Sequence, residues 1–246
     1  MTTKPDLPAL EAWIEDCITH LRDTEGFDVN RVHKEEFLLL YGVAARVMGY
    51  GDAYLRLSRG GLVAESVVLA RAAIEHAVTL QWSFIVDGGV NRFRISVAHD
   101  RIDHYTKLAV WLNNEELAKA VASLDAPPPG KRLPKVMSML RDIDKDNFLE
   151  SSYHILSQTV HVTHSTVTAF LEQGDEELHI KYKQEYGYHY QASYIMAVSC
   201  MLARWVIAKL TNDTELLEML DKKSDDLVLP MNLLDGLELS KRRAGL

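Results

Sequence analysis

Few side chains in this sequence could do chemistry, and they stand in apolar surroundings. Arg71 and Glu75 lie four residues apart in the stretch 62–86, which is otherwise rich in Val, Leu, Ile, Trp and Phe. In a helix, positions i and i+4 share a face, so these two side chains meet. Buried charges persist only when they are paired and hydrogen-bonded. The pair is therefore either an internal ion pair that fixes helix packing or the lining of a polar pocket. A second group is Tyr153, Ser157 and His161, each four residues from the next, with His164 one turn further on. Hydroxyls and imidazole donate and accept, and imidazole titrates near neutral pH. This stripe either satisfies Arg71 and Glu75 or supplies an acid or base at His161, oriented by Tyr153 or Ser157. A third group holds Arg92 and His99, seven apart, with Asp100 and His104, and Arg101 and Tyr105, at i, i+4. It reads most simply as a solvated helix face.

The elements that carry these groups follow from hydrophobic period. Leu10, Trp13, Ile14, Cys17, Ile18 and Leu21 mark one face of a helix over 8–22, with Pro8 in its first turn. A second helix is predicted over 34–59. Gly42 and Gly49 share a face of it and are read as permitting close approach of a neighbour, since glycine is costly inside a helix. Gly60-Gly61 separates it from the helix 62–86, which is apolar nearly all round and so is expected to be surrounded by others. Further helices are predicted over 91–112 (restarting through 124), 135–141, 147–162 and 191–210. The segment APPPGKRLP at 126–134 is a loop, because successive prolines exclude a helix. Alternation at Leu178, Ile180 and Tyr182 marks the one strand-like segment. The fold class is therefore all-α. The expectation is a single-domain multi-helix bundle over 1–246 with its core at about 35–210. It has a buried central helix, at most one small β-hairpin near 176–184, and a polar tail from about 223 to 246.

Composition narrows the function classes. The chain has 246 residues, 47% hydrophobic and 25% charged, which suits one globular domain with an ample core. A net charge of −8 argues against a large nucleic-acid footprint. Lys131-Arg132 and Lys241-Arg242-Arg243 read as solvated ends. Cys17 and Cys200 lie far apart in apolar helical settings and are expected as buried thiols in a reducing, cytoplasmic compartment. The N-terminus shows no secretory pattern. The apolar run 192–210 contains Arg204 and reads as a core helix, so no membrane association is expected. No nucleotide-binding loop appears, since Gly60-Gly61 lacks the lysine and the spacing. No cofactor is called for.

Two stretches carry a resemblance. L-A-R-A-A-I-E-H-A-V at residues 69–78, followed by Trp82, and Y-H-I-L-S-Q-T-V-H at 153–161 resemble an uncharacterised bacterial family of helical proteins, a domain of unknown function. That resemblance implies a bundle with an Arg/Glu helix opposed to a Tyr/Ser/His helix, over about 35–210. The chain is also similar, more loosely, to the HEPN superfamily. Its ribonuclease members, from toxin and phage-defence systems, carry arginine, four to six residues, then histidine. Arg71 with His76, Arg94 with His99, and Arg92 with His99 fit that spacing. What this second resemblance implies is a metal-independent endoribonuclease, arginine stabilising phosphate charge and histidine moving the 2′-OH proton.

Three functions are thus open. The leading one is a binding or assembly module with an internal polar pocket, taking a small ligand or a protein partner, with a homodimer allowed. The ribonuclease, with RNA as partner, is the alternative. The third is a metal-binding bundle, suggested by ten histidines, with His161 and His164 joined by His99, His104 or Glu75. None of the predicted helices carries the di-iron spacing Glu-x-x-His.

Overall fold

The computed structural model describes residues 4–29, 31–144, 147–168, 170–173, 178–180 and 186–233. Much of the expected hairpin and tail, including Tyr182 and Lys241-Arg242-Arg243, lies outside the described residues. The fold is all-α apart from one short hairpin. The chain divides into two compact units where length alone suggests one. The first is Met1–Gln81 with Val136–Leu246, and the second is Trp82–Lys135.

In the first unit, α1 (Leu7–Asp23) begins at Asp6, whose carboxylate accepts from the Ala9 N–H at 2.8 Å. The α2 helix (Lys34–Arg59) ends where Gly61 takes φ 78°, and the Leu62 N–H returns to Leu57 O at 2.9 Å. That left-handed residue satisfies the last carbonyls and turns the chain at little cost, because glycine has no Cβ. It launches α3 (Val63–Ile85), which runs from the first unit into the second. After α6 (Val136–Ile143) comes α7 (Phe148–Val160), then the short α8 (His164–Thr168). Strands β1 (Leu171–Gln173) and β2 (Leu178–Ile180) pair antiparallel, with Leu171 opposite Ile180. The expected hairpin is present, and its first strand lies N-terminal of the range assigned from sequence. Helices α9 (His189–Thr211) and α10 (Thr214–Leu227) complete the unit.

The core is organised on α9, against which α1, α2 and α10 pack. Every residue from 195 to 208 is buried. This helix is long and apolar enough to cross a membrane by length and composition, and it is enclosed by protein instead. The full enclosure expected of α3 belongs to α9. In α3, Val67, Ala70, Ala73, Ile74, Ala77 and Val78 are buried, whereas Glu65 and Val68 face solvent. Several polar atoms inside the core are tied to backbone or to each other. The Trp13 indole N–H donates to Ala197 O, Gln81 Nε2 donates to Leu202 O, and Tyr54 OH meets Ser193 Oγ at 2.7 Å.

Close helix approach occurs on α2, but not at the glycines singled out from sequence. A Cβ at Gly42 or Gly49 would meet nothing within 4 Å, and both residues are exposed. The tight position is Gly51, where a Cβ would stand 3.3 Å from Ile14 Cγ2 and 3.6 Å from Cys200 Sγ. The tail from 223 is less polar in place than in composition. It begins within α10, and Leu227, Leu229 and Leu233 are buried.

The second unit holds α4 (Gly89–Trp111) and α5 (Glu115–Ala122), which pack on each other. Asn114 separates them and caps α5 through the Leu117 N–H at 2.9 Å. Arg92 holds the proline-rich segment by donating twice to Arg132 O, at 3.0 and 2.8 Å.

Candidate functional site

The polar residues of α3 meet those of α7. Arg71 Nε donates to Ser157 Oγ at 2.9 Å, and Nη2 donates to Tyr153 OH at 2.7 Å. The Tyr153 hydroxyl in turn donates to Glu75 Oε1 at 2.6 Å, while Nη2 of Arg71 lies 3.1 Å from that same oxygen. The Ser157 hydroxyl donates to Tyr153 O at 2.7 Å. The guanidinium also lies over the Tyr153 ring, with Cζ 4.8 Å from its centroid. The i, i+4 spacings predicted from sequence thus produce one network on two facing helices.

Local structure sets this geometry. Leu149 and Leu156 bury one side of α7, which leaves Tyr153 and Ser157 half-buried. The start of α7 is fixed from outside the helix. Asn147 is left-handed and its side chain makes no cap bond. Buried Asp144 accepts instead from the N–H groups of Leu149 and Glu150, at 2.8 and 3.1 Å. A carboxylate there satisfies orphan donors and opposes the helix dipole.

Chemically, the network favours recognition over proton transfer. Burial, followed by the Glu75 carboxylate, pushes the Tyr153 hydroxyl up to about 12. It therefore stays protonated near neutral pH and serves as a donor. The hydroxyl of Ser157 is bonded to Arg71 and to Tyr153 O rather than to a general base. The α7 helix ends at Val160, and His161 is its extended C-cap, exposed, reaching Ser157 through a backbone N–H at 3.2 Å. His164 begins α8 and is exposed as well.

The arginine–histidine pairs are each divided between neighbours. Arg71 faces α7, whereas His76 keeps Nδ1 on Ala72 O at 2.9 Å and stands edge-on to Tyr50 of α2 at 5.2 Å. In the second unit Arg92 is committed to Arg132 O and lies over Trp82 at 4.9 Å, and Arg94 donates to Asn91. His99 is half-buried on α4, and His104 stands edge-on to Tyr105. Among the described residues no three His, Cys, Asp or Glu side chains gather as a metal site.

Arg204, read from sequence only as the mark of a core helix, holds a further buried charge. It is buried in α9, donates to Asp16 Oδ2 of α1 at 2.6 Å, and lies over Trp13. The signal was an arginine in the middle of a mostly apolar helix, with no acidic residue one turn away to pair with it. The cysteines, 183 positions apart in sequence, are neighbours in the fold. The bond to Cys17, then burial, drives the Cys200 thiol upward.

The fold and this network define an all-α protein with a half-buried polar site between two helices. Residues 37–178 match the family model DUF5677, a family of unknown function, and the chain belongs to that family. The match includes both halves of the network. No curated protein and no solved structure matches the chain.

Proposed function

We propose that this protein is a helical binding module that takes a small polar ligand at the Arg71–Glu75–Tyr153–Ser157 network. The observation carrying this reading is the network's open edge. Arg71 Nη1 and Glu75 Oε2 have no partner among the described residues, and the two side chains are 18% and 28% exposed. A donor and an acceptor from one network suit a ligand that accepts from the first and gives to the second. A primary carboxamide has that pattern. A few placed polar groups are what orient ligands in protein sites. The test is ligand-observed NMR with benzamide, benzoate and benzylamine. Benzamide should bind the wild type best and lose binding in Arg71→Lys and Glu75→Gln. Equal signals for all three compounds, or benzamide binding undiminished in both variants, would contradict the proposal.

A role in assembly has its own support. Val110, Trp111 and Leu112 at the end of α4 are 78%, 79% and 52% exposed. Adjacent apolar side chains in water mark interaction surfaces. Trp111→Ser should shift any self-association seen by sedimentation, and an unchanged profile would argue against a second copy as the partner. The free, buried Cys17 and Cys200 support a reducing, cytoplasmic compartment, and a bacterial source rests on the family resemblance. The ribonuclease alternative gains no such support, because Arg71 and Arg92 are engaged elsewhere. RNA cleavage by the wild type that disappears in His76→Ala or His99→Ala would restore it. Stoichiometric metal in the purified protein would restore the metal alternative.

A further inference from the structure

A cleft of about 490 Å³ opens where α1, α9 and α10 meet, and it does not involve the α3–α7 network. Its walls include Trp13, Met219 and Leu227, with the charged side chains of Arg204, Lys223 and Asp16 among them. The volume lies in the range of sites for small organic ligands.

Arg204 is the informative wall residue. Its side chain is only 7% exposed, and its Nη1 is taken by Asp16 Oδ2 at 2.6 Å and by Cys17 Sγ at 3.8 Å. Its Nε is buried with no hydrogen-bond partner, and Nη2 has none among the described residues. Nε has almost no accessible surface, so Nη2 is the guanidinium donor left for a ligand, as a charge-assisted hydrogen bond to a carboxylate. An unsatisfied buried donor is costly, and here it belongs to a fixed cation in the wall of a cavity. Asp16 is 55% exposed and balances one charge. Lys223 leaves the cleft with one net positive charge. The remaining wall is apolar, with the Trp13 ring already stacked beneath the guanidinium at 5.4 Å.

We infer that this cleft is a second binding site, for a small carboxylate with an apolar body. The carboxylate takes Nη2 of Arg204 and the ammonium of Lys223, and the apolar part lies against Trp13, Met219 and Leu227.

Isothermal titration of the full chain with octanoate, octanol and octylamine tests this. Octanoate should bind at least tenfold more tightly than the other two. Lys223→Gln, at an exposed position, should weaken octanoate severalfold. Ala12→Phe fills the cleft from an exposed position on its wall and should abolish binding while circular dichroism stays unchanged. Arg204→Lys keeps the charge and removes the Nη2 donor, and should weaken binding at least tenfold. The two exposed variants decide the matter if that core variant does not fold. No binding of octanoate by the wild type, octanol binding as tightly, or octanoate affinity untouched by Ala12→Phe would each overturn the inference.

Discussion

The hydroxyl of Tyr153 stands between a guanidinium and a carboxylate, accepting from one and donating to the other. Removing it leaves two charged groups with fewer partners. Tyr153→Phe should therefore cost about 1.5–3 kcal/mol, the usual worth of a hydrogen bond to a charged group, read from urea denaturation. The pH dependence has a definite sign. Burial and Glu75 raise this hydroxyl from 10 to about 12 in the folded state. Its contribution is complete below pH 10 and is lost as pH rises from 10 to 12. The stability difference between wild type and Tyr153→Phe should shrink across that window, and a constant difference would mean the hydroxyl is not held as described. His20 behaves in the opposite sense. Burial, then the nearby Arg204, lowers it below 6.5. Its contribution is present above pH 6.5 and is lost as pH falls below that value. His20→Asn should flatten the acid limb of the stability curve relative to wild type. Exposure also sets the size of the loss at Arg71. A fully buried Arg71–Glu75 pair would lose about 3–5 kcal/mol on Arg71→Ala. With Glu75 28% exposed, water replaces part of the guanidinium, and about 1–3 kcal/mol is expected.

At the scale of the element, glycine positions separate pattern from packing. The seven-residue interval of Gly42 and Gly49 shows that they share a face of α2, but not which face meets another helix. Both prove exposed, and Gly51 takes the contact with Ile14. Gly42→Ala and Gly49→Ala should each stabilise by about 0.5–1 kcal/mol through helix propensity. Gly51→Val should destabilise by about 1–3 kcal/mol through overpacking against Ile14. Thermal melts of the three variants check both signs at once. Helix limits were legible because capping residues are local. The breaks at Gly60-Gly61 and Asn113-Asn114 fall where the chain turns. The Arg71–Glu75 and Tyr153–Ser157 spacings were legible for the same reason, since i, i+4 is a property of one helix. That His161 would be the C-cap of α7 rather than lie within it was not legible, because period alone does not show where the helix stops. The Asp144 cap was invisible because it acts from outside the helix it starts.

At the scale of the molecule, long-range placement is what the sequence withheld. Composition identified α9 as apolar, but only the fold shows α1, α2 and α10 closing around it and carrying Cys17 to Cys200. Both thiols are fully buried. A thiol reagent such as DTNB should therefore titrate close to none of them in native buffer and both in 6 M guanidinium chloride. Rapid native reaction would mean that the α1–α9 contact is open. The central claim concerns a different contact, the one that ties α3 to α7 through a shared polar network. A double-mutant cycle measures it most directly, using Arg71→Ala, Tyr153→Phe and the combined variant in urea denaturation. The account expects a coupling energy of at least about 1 kcal/mol, as found for residues in one hydrogen-bond network. Losses that simply add, to within about 0.3 kcal/mol, would contradict it, because the two side chains would then act independently.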